Sequence, residues 1–170
     1  MLIRAYGLFW RADEVDWTPG KGNKNAFRLL GRIGAHLPSL QVADFREQRG
    51  IYILYGNHGP HYVGLTRSQD LGKRVRDHLF DQHAGKWNRF SWFGFRAVLK
   101  SKDPFGCRRL KDLASMGVGD PADLIGDMEA LLIRAMGLSA NKAQMNFCNA
   151  CEWTQVKIDE VTRYLGELSV

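Results

Sequence analysis

The run GIYILYGNHGPHYVG at residues 50–64 limits the fold more than any other stretch of the chain. Ile51 to Tyr55 and Tyr62 to Leu65 are apolar arms. Between them, Gly56-Asn57-His58-Gly59-Pro60 supplies the positive and fixed φ values that chain reversal needs. The pattern predicts a β-hairpin with a tyrosine in each arm and a glycine near each tyrosine. Tyrosine is common in strands for packing reasons alone, so the hairpin by itself assigns no chemistry.

The next segment, SQDLGKRVRDHLFDQH, predicts a helix starting near Ser68 or Asp70, with Leu71, Val75 and Leu79 as its buried stripe. Arg74 and His78 are four residues apart, so they lie next to each other beside that stripe, along the seam between helix and sheet. FSWFGFRAVL at 90–99 predicts a third strand. After a linker holding Asp103, Pro104 and Gly106, GDPADLIGDMEALLIRAMG predicts a helix. Asp120 is its N-cap, Pro121 its first residue and Gly137 its stop. Its stripe is Leu124, Met128, Leu131, Leu132 and Ala135, and Glu129 sits at the border of that stripe. On its own, Glu129 reads as an ordinary surface glutamate. Helical periodicity returns from Thr154 to Leu168. In residues 1–46, LIRAYGLFW reads as an additional strand and the remainder shows no clean period.

A chain of 170 residues without repeats predicts a single domain over 1–170. The first 17 residues are interrupted by Arg4, Arg11 and three acids, which fits neither a signal peptide nor a membrane span. The expectation is a soluble, cytoplasmic protein with no membrane partner. Cys107, Cys148 and Cys151 make no disulfide framework, and CNAC at 148–151 lacks the second half of a zinc site. The net charge of +6 is uneven: residues 1–60 carry +3, 61–111 carry +8, and 112–170 carry −5. In the basic third, Trp87, Phe90, Trp92, Phe93 and Phe95 lie among the cations, a combination that attracts a polyanion such as nucleic acid. A solvated face whose arginine stems cover apolar surface has the same composition, so charge alone does not decide.

In chain order the pieces are a GIY strand, a YVG strand, a helix with KRVRDH, a third strand, a helix with one central glutamate, and an asparagine in MNF. Over about residues 49–147 this order resembles the GIY-YIG nuclease family. The resemblance implies an α/β (α+β) fold in which helices flank a small central three-stranded antiparallel sheet. Residues 1–46 would then be an N-terminal extension and 148–170 a C-terminal helix. It also implies an endonuclease that hydrolyses phosphodiester bonds in DNA, double-stranded or branched, with Mg²⁺ or Mn²⁺. By position, Tyr52 and Tyr62 match the motif tyrosines, Gly64 the closing glycine, and Arg74 the arginine of the first helix. His78 matches a histidine found in several members, Glu129 the metal-binding glutamate, and Asn146 the late asparagine.

Each of these groups has a chemical use at a phosphodiester, whose charge repels a nucleophile and grows in the transition state. Glu129 would hold the metal while water and phosphate supply the other ligands. Arg74 offers two phosphate oxygens a planar fork. Tyr52, with Tyr62 and His78 around it, would act as general base or proton relay, and Asn146 would tie the chain end to the site. Gly50 and Gly64 permit close backbone approach. Arg67, Lys73, Arg76, Lys86 and Arg89 would meet the nucleic-acid backbone. Nine residues separate GIY from YVG, valine replaces the isoleucine of the name, and Leu65 stands where some members carry lysine, with Arg67 following. His58 and His61 read as exposed turn residues. The alternatives are a non-cleaving nucleic-acid-binding module of the same fold and a basic structural protein. DNA shape or a protein partner would supply specificity.

Overall fold

The computed structural model describes residues 3–19, 27–66, 69–112, 121–136, 147 and 150–168. The side chains of 121–126, 129, 162 and 166–168 lie outside that description. In chain order the elements are strands β1 (Ala5–Arg11), β2 (Leu30–Ile33), β3 (Gln41–Asp44), β4 (Gly50–Gly56) and β5 (Gly59–Leu65), then helix α1 (Leu71–Asp77). Strands β6 (Arg89–Gly94), β7 (Val98–Lys102) and β8 (Arg108–Leu110) follow, then helix α2 (Pro121–Met136). Strands β9 (Cys151–Glu152) and β10 (Thr154–Gln155) and helix α3 (Val161–Leu168) complete the chain.

The expected three-stranded sheet flanked by helices is not what forms. The protein is mostly β, built from two five-stranded mixed sheets ordered β5-β4-β6-β1-β9 and β10-β2-β3-β8-β7. The hairpin is present, with β4 antiparallel to β5 on one side and to β6 on the other. The difference comes from the chain ends. The segment read as an extension provides β1, β2 and β3, and the segment read as a final helix provides β9 and β10 before α3 begins at Val161. The aromatic strand expected over 90–99 divides into β6 and β7, which join different sheets.

Alternation along the strands builds the layers. Tyr52 and Leu54 of β4, Phe90 and Trp92 of β6, and Trp10 of β1 face inward, toward Phe45, Trp153 and the α1 residues Leu71 and Val75. Ile53, Tyr55 and Phe93 face the other way and pack with Tyr6, Phe147 and the α2 residues Ala130 and Ala135. Because both faces are covered, β4 reads as an unbroken apolar run instead of alternating with polar residues. The far face of the second sheet, with Leu30, Val42 and Val156, is covered by Tyr164 of α3. No helix among the described residues is long and apolar enough to cross a membrane.

Candidate active site

The hairpin and α1 bring four of the predicted residues together. Leu54 pairs with Tyr62 and Tyr52 with Gly64, which puts Tyr52 and Tyr62 on the same face with ring centroids 6.1 Å apart. Gly64 makes room for this arrangement, since a methyl group there would overlap the ring and hydroxyl of Tyr52. At Gly50 a methyl group would run into the Phe93 carbonyl of the neighbouring strand. Both glycines therefore serve close approach, one to a side chain and one to a strand.

Tyr52 is wholly buried, and its hydroxyl lies 2.7 Å from Nε2 of His78, which is equally buried. Nδ1 of His78 lies 2.7 Å from Oδ2 of Asp81. Burial holds the His78 pKa below its ordinary value, with Arg74 and His83 adding to the effect and Asp81 opposing it. Burial pulls the Asp81 carboxyl upward, but hydrogen bonds from the His83 backbone N–H and from His78 outweigh it and hold the group low. A neutral imidazole beside an ionised carboxylate has one consistent arrangement: Nδ1–H donates to Asp81, and Nε2 accepts the Tyr52 proton. Burial, then the neighbouring Tyr62, pushes the Tyr52 phenol up to about 12, against the pull of Arg74. Tyr52 is therefore protonated at neutral pH, the donor end of a Tyr52–His78–Asp81 chain.

Around this chain lie the groups nearer to water. Arg74 is half-buried and interacts with both phenols. His83 is half-buried, with its ring 4.4 Å from Tyr62 and 4.9 Å from His78. Its Nδ1 lies 3.1 Å from Nε2 of the exposed His61. No family model, curated protein or solved structure matches the chain. The nuclease resemblance therefore rests on these residues alone.

Glu129 lies on α2, and α2 packs on the opposite face of the sheet from Tyr52. The Tyr55 hydroxyl donates to the Ala135 carbonyl at 2.8 Å on that far face. The side chain of Glu129 lies outside the described residues, as do Arg67 and Asn146. Beside the tyrosines, the described groups able to hold a metal are His78, Asp81 and His83, whose ligand atoms lie within 4.8 Å of one another. Two imidazoles and one carboxylate form a donor set for Zn²⁺ or Mn²⁺; Mg²⁺ prefers oxygen donors. In addition, the His78 and Asp81 atoms that would ligate are already joined by a hydrogen bond. These residues do not fit Mg²⁺.

Of the proposed backbone contacts, Lys73, Lys86 and Arg89 are exposed, whereas Arg76 is half-buried with its guanidinium 5.3 Å from the centre of the Phe27 ring. Asp81 and His83 were missed because the predicted helix runs through them. The helix in fact ends at Asp77, and the turn that follows folds both residues back onto His78. DHLFDQH does carry the signal: a second acid and a second histidine close behind the first.

Proposed function

We propose that the protein hydrolyses phosphodiester bonds in DNA at the tyrosine–histidine cluster between the β4–β5 hairpin and α1. The observation that carries the reading is the Tyr52–His78–Asp81 chain with Arg74 set against both phenols. Such a chain is more than tyrosine packing requires, because it places a buried acceptor behind a protonated phenol. In this reading Arg74 holds two phosphate oxygens and balances the charge that grows on them. Tyr62 and His83, on the open side, orient the attacking water. Tyr52 is wholly buried, so it acts through Tyr62: the water's proton goes to Tyr62 as Tyr62 passes its own to Tyr52 and Tyr52 passes its own to Nε2 of His78, and the proton returns along the same relay to the leaving oxygen, while Asp81 fixes the imidazole tautomer.

One observation favours a second reading, a module that binds nucleic acid without cutting it: the α2 helix with Glu129 packs against the far face of the sheet. Supercoiled plasmid and branched DNA, incubated with wild type, Arg74→Ala and Glu129→Ala in Mg²⁺ or in chelator, separate the two. The expected result is nicking by wild type that falls by about 100-fold or more in Arg74→Ala, the scale of losing one charge-stabilising donor. Retention of nicking in Glu129→Ala fits the far-face position of α2. DNA binding with no nicking under any condition selects the binding module.

A further inference from the structure

Two hollows lie side by side on the second sheet, away from the tyrosines. The first, about 280 Å³, is mostly apolar, with Val15, Leu30, Val156 and Val161 among its walls and Glu14 at its edge. The second, about 370 Å³, is lined by Arg28, Arg46, Arg108 and Arg109, with Asp44, Glu47 and Asp103 beside Arg28 and Arg46. Arg28 and Phe105 line both, and the Arg28 guanidinium stacks 4.2 Å from the centre of the Phe105 ring.

We propose that the two hollows form one cleft for a nucleoside 5′-phosphate, with the base in the apolar hollow and the phosphate against Arg108 and Arg109. The charges support this division. Arg28 and Arg46 are already set among carboxylates, at 3.7 Å and 3.9 Å from Asp44. The side chains of Arg108 and Arg109 make no hydrogen bond or ion pair among the described residues, and they are the arginines left to take an anion. On the other side, the Phe105 ring and Arg28 plane at the junction suit a flat aromatic ligand, which stacks without regard to sequence. Glu14 is half-buried and its carboxylate makes no hydrogen bond among the described residues, so it is placed to accept N–H groups from a base edge. Guanine presents two such donors side by side. A fatty or purely aromatic acid would use the arginines and leave Glu14 facing apolar carbon, an unfavourable burial. The apolar hollow alone is small for an organic ligand, but joined to the second it gives a volume within the roughly 300–1,000 Å³ of ordinary ligand sites.

The same chemistry is carried by a free nucleotide and by an unpaired nucleotide within a strand. Titration calorimetry on the full chain with guanosine 5′-monophosphate, guanosine, inorganic phosphate and a short guanine-containing single strand distinguishes the two. The nucleotide is expected to bind about tenfold or more tightly than guanosine or phosphate alone. Arg109→Ala should weaken it by about tenfold, as for one charge-assisted hydrogen bond, and leave guanosine unchanged. Val161→Trp, which fills the apolar hollow, should abolish both. A strand that binds with the same two sensitivities while the mononucleotide fails assigns the cleft to polynucleotide and upholds it. Phosphate binding as tightly as the nucleotide, binding indifferent to both cleft variants, or no binding by any of these molecules overturns it. Arg109 is exposed, so Arg109→Ala remains a test if Val161→Trp does not fold. The cleft is read by binding in Arg109→Ala and Val161→Trp and the nuclease by nicking in Arg74→Ala, so the failure of this cleft, which leaves nicking intact, is distinguishable from the failure of the nuclease reading.

Discussion

Tyr52 and Gly64 face each other across β4 and β5, and the cluster depends on the missing side chain of Gly64. Gly64→Ala should push the Tyr52 ring off His78 at an overpacking cost of about 1–3 kcal/mol. A lowered denaturation midpoint together with lost nicking is the expected outcome; an unchanged midpoint would show that the ring can move freely. Asp81 offers a second test through pKa. His78 titrates below its ordinary 6.5 in the folded chain. As pH falls, the unfolded chain therefore takes up that proton first, and stability declines from about 6.5 down to the folded value. Asp81 opposes the depression, so Asp81→Asn should lower the folded His78 pKa further and extend the declining limb to lower pH. Imidazole resonances followed by NMR through a pH titration measure this directly, and an upward shift would contradict the chain. At this scale, Tyr52, Tyr62, Arg74 and His78 were legible because a hairpin register and a four-residue helical spacing fix their neighbours locally. Asp81 and His83 were not, because their positions depend on a turn.

That turn shows why elements are harder to read than residues. A continued α1 would give the His78 carbonyl a helical donor; instead the carbonyl accepts from the Trp87 indole N–H at 3.1 Å, while Phe80 is left exposed. The indole therefore replaces a helical hydrogen bond, and nothing in the helical period announces it. The aromatic strand ends for a similar reason. Gln48 is wholly buried, its Oε1 accepts from the backbone N–H of Arg49 and of Arg96, and its Nε2 donates to the Arg96 carbonyl. Those bonds take the Arg96 backbone out of strand pairing and pass the chain from β6 to β7 in the other sheet. Gln48→Leu would remove three hydrogen bonds to the half-buried backbone of Arg49 and Arg96, and should destabilise the fold by about 2–4 kcal/mol in chemical denaturation. A loss under 1 kcal/mol would mean that water replaces the amide. By contrast, the bounds of α2 were legible, because proline at its start is a signal carried within the segment itself, but its buried face was not: Met128 and Leu132 of the expected stripe are exposed, and Asp127 and Ala130 are buried instead.

Across the whole molecule, the distance between pairing partners decides what the sequence revealed. β1 lies between β6 and β9, and the Trp10 indole donates to the Trp153 carbonyl at 3.1 Å, joining the two ends of the chain. Strands as short as β9 and β10, at two residues each, carry no period to recognise. Residues 1–46 and 148–170 consequently read as additions to a core, whereas in the fold they supply half of the ten strands found among the described residues. The inner face of the hairpin sheet depends on them, since Trp10, Phe45 and Trp153 pack with Tyr52, Leu54 and Trp92. A fragment spanning 49–147, the stretch that resembles a free-standing nuclease, would expose that face and lose most of the second sheet, leaving too little buried apolar area to offset chain entropy. It should show no cooperative thermal transition by circular dichroism and no dispersed amide spectrum. A sharp melt from the fragment would mean that the hairpin, β6, α1 and α2 suffice as a folding unit, and that the terminal strands only decorate it. If it does not melt cooperatively, the tyrosine–histidine cluster exists only where both ends of the chain are in place, and any loss of activity on trimming either end reflects the fold before the chemistry.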